Sequence, residues 1–147
     1  MEDPYNSINL PGKVSFVRTY GTGESRYSRL FLINFDGTQE EELINEKLLD
    51  NGFQHSWSPD GEKVVFQKIK PIFAHDICVL TYSTKKIDCL TNDDFNDHDP
   101  SWSPDGEHIA FISDRGTPYF QVYLMKADGS EIRQLTSETN KIYDNIS

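Results

Sequence analysis

Apolar residues in this chain fall in short runs that alternate with polar or small positions at a period of two. "KVSFVR" (Lys13–Arg18), "KVVFQK" (Lys63–Lys68) and "HIAFIS" (His108–Ser113) place Val14 and Phe16, Val64 and Phe66, and Ile109 and Phe111 on one face. The opposite face carries Ser15, Val65 or Ala110. A period of two in β-branched and aromatic residues predicts strands. Large residues against small ones suit sheets stacked closely face to face. Turn signals bound the runs: "SPDG", then "SDRGTP", then "ADGS". One stretch conflicts. "EEELINEKLLDNG" (Glu40–Gly52) is rich in helix formers and ends in Asn-Gly. The expectation there is a strand over its first part and a helical turn in the Asn45–Asn51 connection.

The pattern repeats. "SWSPDG" occurs as Ser56–Gly61 and again as Ser101–Gly106, a step of 45 residues from Trp57 to Trp102. "DICVLTYSTKKIDCLT" (Asp76–Thr91) and "QVYLMKADGSEIRQLT" (Gln121–Thr136) keep the same step. A divergent copy comes first. "NSINLPGK" (Asn6–Lys13) stands in the place of "HSWSPDGEK", and "RLFLINFDGTQEEELI" (Arg29–Ile44) matches Gln121–Thr136. Three units result, over about 5–45, 46–91 and 92–136. "YDNIS" (Tyr143–Ser147) resembles "YNSIN" (Tyr5–Asn9), so residues 137–147 are expected to start a further strand. In the third unit the strands are expected at Pro100–Ser103, His108–Ser113, Gln121–Lys126 and Glu131–Thr136. Tandem four-stranded units of this length are the signature of a β-propeller, so the fold class is all-β.

"SWSPDG" first raises the question of serine chemistry. Its residues read better as scaffold. Ser58-Pro59-Asp60-Gly61 suits a type I turn, with Gly61 at positive φ forming a bulge, and Pro104, Asp105 and Gly106 repeat it. Trp57 and Trp102 supply apolar area between sheets, and a buried indole N–H needs a partner. "LPGK" (Leu10–Lys13) suits a type II turn with Gly12 at positive φ. A nucleophilic serine needs one base and one oxyanion hole rather than a tandem copy, and no G-x-S-x-G elbow is present. No catalytic residue is expected.

"DPSWSPDGEHIAFISDRGTPYFQVYLMKADGSEIRQLT" (Asp99–Thr136) closely resembles the TolB-type β-propeller repeat. Gln54–Thr91 resembles it well and Asn6–Ile44 weakly. The same repeat occurs in the propellers of tricorn-like and prolyl-oligopeptidase-like peptidases. The resemblance implies a propeller and a habit of protein or peptide recognition, and it carries no catalytic residues. TolB-type rings usually have six blades, so three units resemble half a ring. An open set of blades exposes apolar faces. The expectation is a homodimer, two copies joined head-to-tail at both seams. The alternative is a piece of a longer propeller.

Charge narrows the partners. The net charge is −10, with 24 acidic and 14 basic residues. A nucleic-acid partner needs clustered Lys and Arg and is excluded. No apolar run is long enough to span a bilayer as a helix. "MEDPYNS" has no signal-peptide h-region. The compartment stays open: cytoplasmic, or periplasmic for a processed or truncated chain. The N-x-S match at Asn145–Ser147 is taken as coincidence. Cys78 and Cys89 have no zinc spacing. If Ser83-Thr84 is a two-residue turn, they face each other and a disulfide is conceivable; otherwise they are small buried apolar residues.

The densest polar cluster is "NDDFNDHD" (Asn92–Asp99). It leads into a first strand, at the end of the channel where propellers bind ligands. Asp97, His98 and Asp99, with His55, are expected to help line an acidic mouth suited to a cation or to a Lys- or Arg-bearing peptide. The cluster lacks the glycine and distal glutamate of an EF-hand, and no cofactor or metal is expected. Asp114-Arg115 is expected to form a local ion pair, and Glu40–Glu42 a solvated strand edge. The leading reading is a non-catalytic protein- or peptide-binding scaffold. The alternative is a propeller enzyme doing metal-assisted lyase or hydrolase work.

Overall fold

A computed structural model describes residues 12–23, 27–48, 54–70, 74–116 and 118–137, excepting the side chains of 45–48. The expected first strand of the first unit, the "YDNIS" segment and the Asn145–Ser147 match lie outside these residues. Among the described residues the strands form three antiparallel sheets and two compact units, Met1–Phe53 and Gln54–Ser147.

The first unit holds one sheet: β1 (Lys13–Tyr20), β2 (Tyr27–Asn34) and β3 (Glu41–Leu48). Its β1–β2 register runs unbroken from Lys13↔Asn34 to Tyr20↔Tyr27. Gly12 has φ +82°, as the expected turn requires. The helix-former stretch is a strand through Leu48, which corrects the expected helical turn at 45–48; residues 49–51 lie outside the described set. Leu43 and Ile44 are adjacent yet both buried, and the β2–β3 register shifts on either side of Leu30. Strand pairing and burial override local helix propensity here.

The second unit holds two four-stranded sheets. One is β4 (His55–Trp57), β5 (Lys63–Ile69), β6 (His75–Thr81) and β7 (Lys86–Cys89); the other is β8 (Asp97–Trp102), β9 (His108–Ser113), β10 (Gln121–Lys126) and β11 (Arg133–Gln134). In the third blade the middle two strands match the expected limits. The first starts earlier, at Asp97. The fourth is shorter at both ends, and Glu131 at its expected start has φ +54°, outside the extended region. The core lies between these sheets. Val65, Ile77 and Val79 of the second blade meet Trp102, Ile109, Phe111, Tyr123 and Met125 of the third. The backbone N–H of Trp102 donates across to Ser56 Oγ at 3.3 Å. Among the described residues the buried indole Nε1 of Trp102 has no hydrogen-bond partner, contrary to expectation, and the ring packs into the apolar core.

Cys78 and Cys89 stand directly opposite in the β6–β7 ladder and form a disulfide. The Leu90 N–H donates to Ile77 O at 2.8 Å, so the neighbouring Cys78–Cys89 pair is a non-hydrogen-bonded one, the closer kind in antiparallel sheet. The connecting turn is wider than expected. Thr81 pairs Lys86, and the Lys85 N–H closes on Thr81 O with Lys85 at φ +57°. The register is unchanged by this. The bridge spans a sequence separation of 11. Loop-closure entropy for so short a loop predicts that Cys78→Ala with Cys89→Ala costs about 2–3 kcal/mol, measured by urea unfolding against the oxidised protein.

Candidate functional site

The repeated serine–aspartate pairs are consumed by their turns. Ser58 Oγ donates to Asp60 Oδ1 at 2.6 Å and accepts the Lys63 N–H at 2.9 Å. The Glu62 N–H donates to Asp60 Oδ1 at 3.0 Å. Ser103 and Asp105 repeat this with the N–H groups of His108 and Glu107. Gly61 and Gly106 take φ +73° and +72°, the bulge conformation. The serine hydroxyls, followed by the backbone amides, hold both aspartates below the usual carboxylate range. These hydroxyls already satisfy a carboxylate and a backbone group, so they serve the hairpin.

The expected binding residues sit at the entry of the third blade. Asp97 opens β8 opposite Ser113, and His98 lies opposite Ile112. The register then slips before Ser101, an extra residue that makes a β-bulge. Asp99 lies in this bulge with φ +51°, and its N–H donates to Gln67 Oε1 of β5 at 2.9 Å. The bulge turns the Asp99 carboxylate toward its neighbour: His98 Nδ1 is 3.2 Å from Asp99 Oδ2. The His98 ring also meets Phe120 edge-on at 4.8 Å.

Asp97 is fully buried and belongs to a different network. Arg115 Nη2 donates to Asp97 Oδ2 at 2.6 Å and to Asp93 Oδ2 at 3.2 Å. The expected Asp114–Arg115 pair is therefore corrected: Asp114 Oδ1 accepts the Asn96 N–H at 2.9 Å instead. Arg115 Nε donates to Ser113 Oγ, and the guanidinium lies over Phe95, Phe111 and Tyr123. On the second blade, the Lys70 ammonium donates to Asp76 Oδ1 at 3.0 Å, Asp93 O at 2.6 Å and Phe95 O at 2.9 Å. Sequence reasoning missed Lys70 and Asp76 and gave Arg115 the wrong partner. Lys70 and Asp76 are six residues apart, but the other contacts of Lys70, and those of Arg115 to Asp93 and Asp97, reach 18 to 25 residues along the chain, too far for local spacing to reveal them.

Asp76, Asp93 and Asp97 each bring one oxygen within 4.8 Å of the others, a spacing that could hold a cation. Lys70 and Arg115 already supply positive charge to these carboxylates. A second group, Asp105, Glu107 and His108, lies around the solvated β8–β9 turn. The first network fixes the 92–96 loop between the two blades. The Asp93 carboxylate caps the Phe95 N–H, and Asn96 Oδ1 accepts the His75 N–H. The loop presents Phe95 at 40% exposure, and Tyr119 on the 114–120 loop is equally exposed. Both loops lie at the Asp97–Ser113 end of the sheet.

His55 stands on another strand, β4, opposite Phe66. Desolvation pushes its imidazole down to about 4. A base with a folded pKa below its unfolded value stabilises the fold fully above 6.5 and loses that contribution as pH falls to about 4. NMR titration of His55 is expected to give a midpoint near 4, with unfolding free energy declining across the same window. A His55→Gln variant should lose that part of the decline.

Residues 13–147 match the family described as the TolB beta propeller domain. No curated protein matches the chain. Among solved structures, a protein assigned as TolB from Agrobacterium tumefaciens superposes with TM-score 0.72 at 24% identity, covering 86% of this chain and 43% of that one. TolB from Acinetobacter baumannii gives TM-score 0.67 at 16% identity, with 83% and 29% covered. An oligogalacturonate lyase in complex with manganese gives TM-score 0.65 at 16% identity, with 86% and 39% covered. The chain thus spans less than half the length of each. At these identities the likeness shows the fold alone.

Proposed function

The chain belongs to the TolB β-propeller domain family, and from that premise we propose that it is a non-catalytic scaffold. It binds a protein or peptide segment at the loop end of its blades and completes a six-bladed propeller with a second copy of itself. The observation that carries the binding role is the pinned 92–96 loop. Lys70, Asp114 and His75 hold its backbone and side chains, so Phe95 is presented without an ordering cost. Phe95 and Tyr119 supply aromatic anchors. His98 meets Phe120, the neighbour of Tyr119, edge-on, and the exposed Asp94 adds negative charge beside Phe95. That surface suits an aromatic residue beside Lys or Arg.

Labelled peptides that pair tryptophan with arginine test this, against matched peptides with glutamate. The basic set is expected to bind, and Phe95→Ala to weaken it about tenfold or more. Equal binding of the acidic set would remove the charge argument, and no binding of either would sink the reading.

Solved structures with this fold include TolB and an oligogalacturonate lyase, and a metal-assisted lyase or hydrolase is the competing reading. It needs Asp97, His98, Asp99 and His55 as ligands or acid–base groups. Asp97 is committed to Arg115, which supports the non-catalytic reading. Self-association is supported by large apolar side chains left in solvent, Phe35 at 67% and Leu135 at 46%. Its test is mass in solution: a particle of twice the 16.9 kDa chain is expected.

A further inference from the structure

The seam between the second and third blades is a template for the surface that the third blade leaves open. The repeat and the strand registers make Val65, Ile77, Val79 and Leu90 equivalent to Ala110, Val122, Leu124 and Leu135. Matching backbone bonds fix the last pair: Leu90 N donates to Ile77 O, and Leu135 N to Val122 O. In the second blade this face is closed by the third. Val65 and Ile77 are fully buried and Val79 nearly so. In the third blade Ala110, Val122 and Leu124 are half-buried, and Leu135 is 46% exposed.

The other side of the template appears on the first blade. Ile109, Phe111 and Met125, fully buried in the seam, correspond to Val14, Phe16 and Ile33, all half-buried. Ala127, which packs on the seam core, corresponds to Phe35: each N–H closes the same hairpin, onto Glu107 O and Gly12 O. Phe35 is 67% exposed. Gly129 lies so close to Leu90 that an added Cβ would stand 3.1 Å from the Leu90 Cβ. Its counterpart Gly37 has the same hairpin role, with φ +80° against +85°, and nothing within 4 Å.

We infer that the third blade of one copy receives the first blade of another through a repetition of this internal seam. Leu135 seats on Gly37 beside Phe35 of the second copy, as Leu90 seats on Gly129 beside Ala127. The exchange is size-matched. Phe35 is larger than Ala127, and it faces Ala110 and Val122, which are smaller than Val65 and Ile77. Two such seams, related by a two-fold axis, join the copies head-to-tail. This rests on the homodimer reading and adds the residues that meet.

The test measures mass in solution for the full chain, Phe35→Glu, Leu135→Glu and, as a control in the exposed β6–β7 turn, Ser83→Glu. All three side chains are exposed in the single chain, so the substitutions spare its fold. Each seam variant is expected to weaken association at least about a hundredfold, and the control to leave it unchanged. Mixing Phe35→Glu with Leu135→Glu restores one intact seam, so an equimolar mixture is expected to recover dimer. Dimeric seam variants, or a mixture that stays monomeric, overturn the inference while the homodimer stands. A monomeric parent chain overturns the homodimer reading itself.

Discussion

Replacing Arg115 by methionine is expected to cost about 3–5 kcal/mol of unfolding free energy. Methionine keeps the aliphatic stem against Phe111 and Tyr123 and removes the charge. Asp97 is fully buried, its Oδ1 has no hydrogen-bond partner among the described residues, and its Oδ2 depends on Arg115. The variant therefore leaves a buried carboxylate with neither oxygen held by Arg115. That uncompensated desolvation, rather than any large net worth of the ion pair, sets the size of the effect. A double-mutant cycle separates the two. Asp97→Asn with Arg115→Met is expected to cost much less than the sum of the singles. Arg115→Lys is expected to fall between, because an ammonium cannot serve Ser113, Asp93 and Asp97 from one planar fork. Urea unfolding at neutral pH reads all four proteins, and a cost below about 1 kcal/mol for Arg115→Met would contradict the argument.

The contrast between turns and network explains what could be read from the chain alone. In "SPDG" the donor, acceptor and positive-φ glycine lie within six residues, so the hairpin follows from local chemistry. The Cys78–Cys89 facing also follows, because one register fixes every pair in a ladder, although the turn itself is wider than two residues. Arg115 is different. Its partners Asp93 and Asp97 are 22 and 18 residues away, and the nearer Asp114 bonds the Asn96 amide instead. Lys70 reaches 23 and 25 residues to two carbonyls, acceptors that every residue carries and no motif marks. The Asp99 bulge is equally silent in sequence, since nothing local demands φ +51° of an aspartate. At 41–48 the composition pointed toward helix at its end, and strand pairing decided otherwise. Local rules thus read the scaffold, while the site depends on which strand ends the fold brings together.

Phe16, Phe66 and Phe111 occupy equivalent positions in the three repeats. Phe66 and Phe111 are fully buried, so alanine at either leaves a cavity at once. Each substitution is expected to cost about 3–5 kcal/mol. Phe111 should lie at the upper end, because Arg115 stacks 5.2 Å from its ring centroid and Tyr123 lies 5.8 Å away. Phe16 occupies the same strand position but is only half-buried, stacked on Phe31 at 5.5 Å with Arg18 over both rings. In a lone chain Phe16→Ala should cost roughly half as much, since part of its surface stays in water on either side of unfolding. Under a second copy the same ring gains the cover that Phe111 has, and its cost should approach that of Phe111. The cost of Phe16→Ala is therefore expected to grow with protein concentration through the range where the copies associate, while that of Phe66→Ala stays constant. Urea unfolding at two protein concentrations measures the difference. A Phe16→Ala cost independent of concentration would mean that this face remains in solvent.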